Sequence, residues 1–403
     1  MQSYKITSLI IGLTAFLLIA VAAGCGGGSG SSSTNTSGAS TGSSTGTVTA
    51  FGSVYVNGVK YDTSGVQVRV NGEAGTQADL RVGDVVTVIG TSNGTTGSAT
   101  NIEYWADVEG PISAISSPGS VTVLGQSVVV NGQTVFDNLP AGFSDLSIGN
   151  VIEVSGFRNG SGAIVASRIE RKSLVFNPTA VVEVKGIVSN LNMTASTFTI
   201  GGLIVNYSHA TAPVGLVNGV TVEVKGSVLT ATGSLNATLI EIEESVAQSV
   251  ANSGGSRAEL EGYITDYISV SNFKVGGQQI NAFGAMFENG SASNLANGVK
   301  VELEGTLIGN TLNANKVGVE EAEGSSSEVE LEGPVQAITA STIKLNDQTF
   351  SYNAQTQMED RTNSQPLNMG NILTRIMVNS HASVHGYTNS SGVLVATRIE
   401  IDS

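Results

Sequence analysis

Residues 216–226 read LVNGVTVEVKG, and the same phrase returns along the chain. A leucine is followed three residues later by a glycine, then by alternating apolar residues and a second glycine. Further copies occupy residues 80–90, 146–156 and 295–305, and in all four copies the two glycines lie seven positions apart. Apolar residues that alternate with a period of two, most of them β-branched, predict a half-buried strand rather than a helix.

A fifth copy departs from this spacing. Its glycines, Gly370 and Gly386, lie sixteen positions apart, so the extra residues around positions 372–380 are expected to lengthen or interrupt that strand. Every copy closes on an Ala-x-x-Ile or Ala-x-x-Val motif, which begins at Ala99, Ala166, Ala237, Ala314 or Ala396. A phrase that recurs about every 60 to 80 residues indicates one small β module copied in tandem.

The rest of each copy fits a small barrel. The opening strand contains a glycine, where a strand can bend, and a hairpin turn of residues that accept positive φ follows. The opening glycines are Gly52, Gly110, Gly186, Gly262 and Gly333, and the turns are at 57–58, 125–126, 201–202, 276–277 and 346–347. A short polar stretch then allows one helical turn, for which Thr76 and Ser291 are candidate N-caps.

The number of strands predicts the fold class. Each copy has about five, with the helical turn between the third and the fourth, as in an OB-like barrel. An immunoglobulin-like sandwich is the alternative, but it needs about seven strands in about 100 residues. We therefore predict an all-β protein of five tandem small OB-like five-stranded β-barrels, which follow an N-terminal signal segment and a flexible linker. The expected limits are a signal peptide at 1–24, a Gly/Ser/Thr-rich tether at 25–46, and barrels at 47–105, 106–172, 181–244, 257–322 and 328–403.

The joins between barrels differ in composition. Residues 105–107 connect the first two copies directly, which predicts a stiff junction. Residues 244–256 and 321–327 are rich in serine and glycine and are expected to be looser links.

Cys25, the single cysteine of the chain, carries the clearest functional signal. Lys5 precedes a mostly apolar run over residues 6–23, and small residues lead into Cys25. This order resembles the lipobox of bacterial lipoprotein signals, which implies lipidation of Cys25 after cleavage and attachment to a membrane. The alternatives are an uncleaved transmembrane helix and a buried structural cysteine. Because Gly26 follows the cysteine, the resemblance implies the bacterial cell envelope, at the outer membrane, either periplasmic or surface-exposed.

Charge limits the choice of partner. The formal net charge is −15, and only 5% of the residues are aromatic. Acidic residues occupy strand positions that face away from the predicted cores; they are Glu183, Glu259, Glu261, Glu328, Glu330 and Glu332. Two interpretations are open: an anionic face for cations or basic partners, or a solvated face that keeps strand edges from pairing, which we favour. An acidic protein also matches a phosphate backbone poorly, so no nucleic-acid partner is expected.

No catalytic, metal or cofactor site is predicted. His381 and His385 lie four positions apart in residues that are typical of a strand. That spacing separates the two side chains by about 13 Å, too far for one zinc ion. A metal-dependent hydrolase centred on this pair is a remote alternative. Trp105 is interpreted as a core or inter-barrel contact rather than a sugar platform.

The glycines, the turns and the closing Ala-x-x-Ile/Val motifs together resemble those of bacterial lipoproteins made of tandem copies of an uncharacterised OB-like β-barrel domain. The resemblance covers about residues 47–403 and carries over no catalytic or binding residues. We expect a non-enzymatic, lipid-anchored envelope protein that acts as a multi-domain scaffold or surface spacer, with its barrels arranged as a rod or beaded string. The alternative is a module that binds an envelope polysaccharide, peptide or protein through a barrel face. A shared groove lined by Tyr or Trp would favour binding.

Overall fold

Five closed β-barrels account for nearly all of the described residues, which in this computed structural model are 39–116, 119–229, 233–320, 328–360, 366–388 and 393–401. Barrel 1 contains β1 (Ser40–Ala50), β2 (Val54–Val56), β3 (Val59–Asp62), β4 (Gln67–Val70), β5 (Glu73–Gly75), β6 (Val85–Ser92) and β7 (Thr96–Tyr104). Barrel 2 contains β8 (Val108–Ser116), β9 (Ser120–Val123), β10 (Gln126–Val129), β11 (Val135–Asp137), β12 (Val151–Arg158) and β13 (Ile164–Ser173). Barrel 3 contains β14 (Val182–Asn192), β15 (Thr197–Ile200), β16 (Leu203–Asn206), β17 (Thr221–Leu229) and β18 (Leu235–Ile242).

The helix α1 (Val246–Ser253) leads into the last two barrels. Barrel 4 contains β19 (Arg257–Ser269), β20 (Asn272–Val275), β21 (Gln278–Asn281), β22 (Met286–Glu288), β23 (Lys300–Ile308) and β24 (Thr311–Val319). Barrel 5 contains β25 (Glu328–Ile338), β26 (Thr342–Leu345), β27 (Gln348–Ser351), β28 (Gln357–Asp360), the short helix α2 (Ile372–Arg375), β29 (His381–Thr388) and β30 (Leu394–Ile401).

The same cycle of hydrogen-bonded strands closes each of these barrels. In barrel 3, β14 pairs antiparallel with β15 and β17, β15 with β16, and β17 with β18. A parallel pair, β16 with β18, completes the ring. The corresponding parallel pairs are β3 with β7, β10 with β13, β21 with β24, and β27 with β30. The predicted all-β fold of repeated, OB-like five-stranded barrels is therefore confirmed.

The repeated phrase begins at a fixed backbone contact. In barrel 3, Leu216 is buried, and the amide of Gly219 donates to the carbonyl oxygen of Val188 at 2.9 Å. The amide of Val188 donates in return to the carbonyl oxygen of Val220, also at 2.9 Å. Gly219 has a φ of +92°, a conformation that glycine adopts without a steric penalty. The leucine thus fills the barrel end while the glycine lets the chain turn into the fourth strand.

Short 3₁₀ helices precede the phrase in three barrels, at Gln77–Asp79, Gly142–Asp145 and Ala292–Asn294. Thr76 and Ser291 form capping boxes at the first and third of these, so both predicted N-caps are confirmed.

The fifth copy keeps the phrase at a shifted position. Asn379, with a φ of +73°, donates its amide to the carbonyl oxygen of Val335, which is the bond that glycine makes in the other copies. It lies seven positions before Gly386, and Ile376 is fully buried in place of the leucine. Gly370 is therefore not the repeat glycine, and the expected lengthening or interruption of the strand is wrong. Asn379 can replace glycine here because asparagine tolerates a left-handed backbone. The extra residues include α2, which lies ahead of a regular β29.

The hairpin turns at 57–58, 201–202, 276–277 and 346–347 lie where they are predicted. The turn of barrel 2 lies one residue earlier, since Leu124 and Gly125 adopt the positive φ values, +47° and +71°. Leu124 is buried, and a Cβ on Gly110 would lie only 2.7 Å from its Cγ. Burial of the leucine side chain offsets the strain of its left-handed backbone.

The Gly/Ser/Thr-rich stretch before residue 47 is in part a strand. β1 begins at Ser40 and pairs with β6 and, in parallel, with β19 of barrel 4. This second pairing needs small residues, because a Cβ on Gly42 would lie 2.2 Å from the carbonyl oxygen of Arg257. The predicted tether is therefore wrong for residues 40–46, and the first barrel starts before residue 47.

The joins between barrels also differ in part from expectation. Residues 244–256 contain α1, whose N-cap Ser245 accepts from the amide of Gln248, and Val250 of this helix is buried against barrel 4. That segment is thus a helix rather than a loose link. The junction at 105–107 is short and packed, since Ala106 and Asp107 are both buried, and its stiffness stays a prediction. Residues 321–327 lie outside the described residues.

The barrels are not arranged as a string. Within the described residues, barrel 1 contacts each of the other four, whatever their distance along the chain. The contacts with barrels 2, 3, 4 and 5 are, in that order, Tyr104 with Glu153, Asn71 with Lys225, β1 with β19, and Phe51 with Asn368. Barrels 2 and 3 also pair through β8 and β14. The expected rod or beaded string is therefore wrong.

Replacing Gly156 with alanine is expected to destabilise the protein by about 1–3 kcal/mol. The strand register shifts at this residue, and an added Cβ would lie 2.3 Å from the carbonyl oxygen of Val165. Gly160 is the matched control, because a Cβ there would meet nothing within 4 Å. Alanine at Gly160 should change stability by less than about 0.5 kcal/mol. Thermal unfolding compares the two variants, and equal midpoints would contradict the close strand approach.

Candidate functional site

Carboxylates on the outward strand faces lie between barrels rather than in water. Glu259 is 4% exposed, Glu261 is 8% exposed and Glu183 is 6% exposed. The favoured interpretation of a solvated face is therefore wrong for these three residues. The physical reason is that the barrels pack through these faces. Of the other three acidic residues predicted to face away from the cores, Glu332 is exposed. The side chains at 328 and 330 lie outside the described part of the structure.

Arg168 neutralises the contact between barrels 1 and 2. Its buried guanidinium lies 3.4 Å from a carboxylate oxygen of Asp84 in barrel 1 and 3.4 Å from one of Glu153 in barrel 2. It also donates to Asp137 at 2.7 Å and to Glu170 at 2.8 Å. Burial raises the pKa of the Asp84 carboxyl, and the charge of Arg168 opposes that rise. The ionised form of Asp84 thus depends on Arg168.

Barrel 3 presents a pair of carboxyl groups that share one lysine. The Nζ atom of Lys225 lies 3.4 Å from a carboxylate oxygen of Glu183 and 3.3 Å from one of Glu223. Burial raises the pKa of Glu223, and the neighbouring Glu183 raises it further. The pair therefore retains a proton into the neutral pH range, since one lysine balances only one of the two charges.

The contact between barrels 1 and 4 uses backbone as well as side chains. A carboxylate oxygen of Glu261 accepts the amide of Thr47 at 2.6 Å, and the second oxygen accepts the hydroxyl of Thr47 at 3.1 Å. Lys300 lies 2.5 Å from Glu261. This carboxylate is thus both hydrogen-bonded and neutralised, as a buried charge requires.

A polar cleft of about 810 Å³ opens where barrels 4 and 5 meet beside barrel 1. Glu302 lines it and accepts a hydrogen bond from Gln355 of barrel 5 at 3.2 Å. Burial raises the pKa of the Glu302 carboxyl to about 7; Gln355 opposes this rise, and the charges of Glu261 and Glu320 add to it. Among the described residues, no lysine or arginine lies within ion-pair distance of Glu302.

Four segments of the chain match one family model, described as "Domain of unknown function (DUF5666)". They are residues 109–170, 185–241, 261–318 and 332–400, which together exceed half of the chain. The chain belongs to the DUF5666 family. Each matched segment coincides with one of barrels 2 to 5. Barrel 1 lies outside the match, although it closes through the same strand pairs as the DUF5666 barrels.

No protein with a curated description matches the chain. Among solved structures, the chain is similar to one described as "drosophila Unr CSD456", with 14% sequence identity over 56% of this chain and 99% of that chain. The TM-score is 0.13. At that value the likeness carries no argument, and the fold assignment rests on the strand pairings.

Cys25, the predicted lipidation site, lies outside the described residues, as does the expected signal peptide at 1–24. In the part of the chain that is described, no helix has the length and apolar character needed to cross a membrane. Lipidation of Cys25 stays a prediction.

His381 and His385 both lie on β29, in the strand that the surrounding residues predict. His381 lies 3.9 Å from Glu332, whereas His385 lies 3.9 Å from Glu400 and 3.2 Å from Arg398. The two rings thus contact different partners. No group of three or more His, Cys, Asp or Glu side chains within the described ranges is placed to hold a metal ion.

Two aromatic residues of barrel 1 lie at contacts between barrels. Tyr61 is buried in barrel 1, and its hydroxyl donates to Glu259 of barrel 4 at 3.2 Å. Trp105 is half-buried against Gly72, and Glu241 of barrel 3 lies beside the same glycine. This placement agrees with the interpretation of Trp105 as an inter-barrel contact.

Glu302 was not predicted as a site residue, although the sequence contains a signal for it. The residue between the two apolar positions of the phrase is Glu153, Glu223 or Glu302 in three of the copies. A carboxylate that recurs at one position of a repeat indicates a shared role of that strand face. Period-two alternation alone assigns such a position to the outside of a barrel.

Replacing Arg168 with methionine is expected to lower the free energy of unfolding by about 3–5 kcal/mol, because it removes the ion-pair partner of the buried Asp84 and leaves Glu153 with only the half-exposed Lys172. Lys172→Met is the control, since Lys172 pairs with Glu153 from a half-exposed position. This control should cost less than about 1 kcal/mol. Denaturant unfolding measures both, and a smaller loss for Arg168→Met than for Lys172→Met would contradict the assignment.

The stability of the protein is expected to fall as the pH rises from about 5.5 to 7.5. The folded protein holds the Glu302 proton up to a pKa of about 7, whereas the ordinary value is 4.5. The folded state thus binds this proton more tightly, and the free energy of unfolding decreases with pH across that window. One such group contributes at most about 1.4 kcal/mol per pH unit.

Glu302→Gln removes this titration and keeps a hydrogen-bond acceptor for Gln355. The thermal midpoint of the variant should therefore change less between pH 5.5 and 7.5 than that of the unaltered protein. Circular dichroism melts at both pH values measure the difference. A parallel change in the two proteins would show that Glu302 titrates normally.

Proposed function

We propose that this DUF5666 protein is a non-enzymatic, lipid-anchored protein of the bacterial cell envelope, in which five barrels form a rigid scaffold or spacer. The observation that carries the proposal is the contact of barrel 1 with each of the other four barrels. Buried charge pairs need fixed distances, since a shift that separates the partners leaves an uncompensated buried charge. Such contacts support a body that keeps its geometry under load.

The titratable groups support a structural role. Arg168, Lys225 and Lys300, each from a different barrel, all serve to neutralise carboxylates at barrel contacts. Catalysis needs groups that converge on a substrate and are free to exchange protons with it. In this protein Arg168, Lys225 and Lys300 converge on carboxylates of the protein itself.

Anchoring through Cys25 supports the envelope location. Fourteen residues separate Cys25 from β1, which starts at Ser40. Barrel 1 is the first barrel after the proposed anchor in chain order. Several acyl chains on one cysteine give stable attachment, whereas one chain is marginal.

Binding of an envelope polysaccharide, peptide or protein through a barrel face is the second candidate function. A groove lined by Tyr or Trp in several copies would favour it. Tyr61 and Trp105 instead lie at contacts between barrels. We therefore prefer the scaffold.

Replacing Cys25 with serine is expected to release the protein from membranes, because it removes the only thiol that can be acylated. Ser31→Ala, a change in the same Gly/Ser-rich stretch, is the control and should leave the protein membrane-bound. Fractionation of cells followed by immunoblotting measures the distribution. Retention of Cys25→Ser in the membrane fraction would indicate a transmembrane helix in place of the lipid anchor.

A further inference from the structure

Barrel 3 lacks a strand that the other four barrels have. In each of those barrels an additional strand pairs in parallel with the second half of the last strand; these pairs are β4 with β7, β11 with β13, β22 with β24, and β28 with β30. In barrel 3, β18 pairs in parallel with β16 at Leu235 and Asn236. Residues 207–220, all of them described, contain no strand. The edge of β18 over residues 237–242, here called the open edge, thus has no strand partner among the described residues.

A short connection accounts for the missing strand. In barrel 3 the buried Leu216 of the repeated phrase follows the end of β16, Asn206, by ten positions. In barrel 4 the corresponding separation, from Asn281 to Leu295, is fourteen positions. Four residues extend the reach of a chain by about 13 Å, which is enough for a strand as short as β22. Barrel 3 therefore closes its five-stranded ring without residues to spare for the additional strand.

The backbone along the open edge is directed away from the rest of barrel 3. The amide of Glu243 donates to the carbonyl oxygen of Thr221, at the start of β17. Since successive peptide groups of a strand point to opposite sides, those of Ile242 and Ile240 point away from β17. The backbone hydrogen bonds of residues 207–220 lead to β14, to Ser196 and to one another, and none within the described residues leads to the open edge.

The side chains of the open edge are also more accessible than their counterparts. Leu239 is 43% exposed, and Thr238 beside it is exposed as well. Exposed strand edges in proteins are commonly blocked by lysine or proline, and residues 237–242 contain neither. The residues that correspond to Leu239 in the other barrels are buried or half-buried, and all are polar; they are Asn101, Arg168, Lys316 and Arg398.

The additional strands of the other barrels show which side chain fits against the closing Ala-x-x-Ile/Val motif. Opposite its last residue, each barrel places an apolar side chain from the additional strand. The four pairs are Val68 with Ile102, Phe136 with Ile169, Phe287 with Val317, and Met358 with Ile399. In barrel 3 the corresponding residue is Ile240, so a strand at the open edge needs an apolar residue opposite it.

The charge of the next residue follows a rule within the molecule. Arg168 forms an ion pair with Asp137 of the additional strand at 2.7 Å, and Lys316 forms one with Glu288 at 2.9 Å.

Barrel 1 has the neutral Asn101 in place of this cation, and its additional strand then carries Arg69, opposite Glu103. Barrel 3 resembles barrel 1, because the neutral Leu239 precedes Ile240 and Glu241 follows it. Lys225 does not neutralise Glu241, since it is paired with Glu183 and Glu223.

We propose that the open edge docks an extended segment of a partner protein, which adds a strand parallel to β18. The segment places an apolar residue opposite Ile240 and, next to it, a lysine or arginine opposite Glu241. In this mode of recognition, backbone hydrogen bonds supply affinity and alternate side chains supply specificity. The net charge of −15 favours the approach of a basic segment.

A second copy of this chain fits the open edge less well. Its strands β11 and β22 would bring Asp137 or Glu288 opposite Glu241, and Leu239 could not neutralise the pair of carboxylates. Like charges directly opposite each other destabilise a strand pair. Docking of a partner goes beyond the proposed scaffold function and does not depend on the lipid anchor, so release of Cys25→Ser from membranes and peptide binding are separate outcomes.

The test uses the fluorescein-labelled peptide GSTVFRVTSG, in which phenylalanine and arginine are the two recognised residues. Fluorescence anisotropy with the full-length protein at about 0.15 M salt, which screens distant charges, should show saturable binding. A peptide with aspartate in place of the arginine should bind at least about threefold more weakly, as expected for the change from an opposite to a like charge across a strand pair. A peptide with methylated backbone nitrogens should not bind, because it cannot donate hydrogen bonds to the strand.

Leu239→Lys gives barrel 3 the cation that barrels 2 and 4 have, so it should invert the preference and make the aspartate peptide the tighter ligand. Ile187→Lys is the matched control, because Ile187 is 53% exposed on β14, which does not pair with β18 in the described structure. This control should keep the preference for the arginine peptide. If Leu239→Lys fails to fold, as judged by its thermal melt, Glu241→Gln decides, since it should narrow the difference between the two peptides.

Three results would overturn the proposal: no saturable binding of the arginine peptide, equal binding of the methylated peptide, or the same change of preference in Leu239→Lys and Ile187→Lys. Self-association of the unaltered protein in sedimentation equilibrium, abolished by Leu239→Lys, would also overturn it, because the open edge would then be filled by a second copy.

Discussion

Burial of carboxylates between barrels is the constraint on which the rest of this structure depends. A single barrel would expose these groups, and removing them from water costs several kcal/mol per charge unless a partner neutralises them. Arg168 and Lys300 supply that partner at two different contacts. Since the partner must sit at a fixed distance, each contact accepts one arrangement of two barrels. Charge pairing thus contributes specificity to the assembly more than net stability.

The second requirement of the structure is a close approach between two strands, one of which is β1 of barrel 1. β1 runs beside β19 so closely that a side chain on Gly42 or on Gly255 would collide with the facing backbone. The Ser/Thr/Gly composition of this strand, typical of a linker, is therefore a packing feature.

Sequence reasoning predicts the interior of each barrel well and the exterior poorly. Alternating apolar residues, turn types and N-caps such as Thr76 depend on local geometry, which a single chain segment determines. The role of Asn379 was not predicted because the repeat pattern requires a glycine at this position. Asn379 adopts the same left-handed backbone as that glycine, and the residue type alone does not specify this conformation. Glu259 and Glu261 were placed in solvent because alternation separates polar from apolar faces. It does not say whether the polar face meets water or another barrel.

The same limit explains where a function can arise in a tandem repeat. The interior of each barrel is filled by its own side chains, and all five interiors use the same pattern of alternating apolar residues. Differences between the copies accumulate on the outer faces, where each barrel has a different neighbour. Asn57 and Gln357 come from copies at opposite ends of the chain, yet they line one cleft. Any site formed by more than one barrel therefore depends on the order in which the barrels pack, because only that order brings unlike copies together.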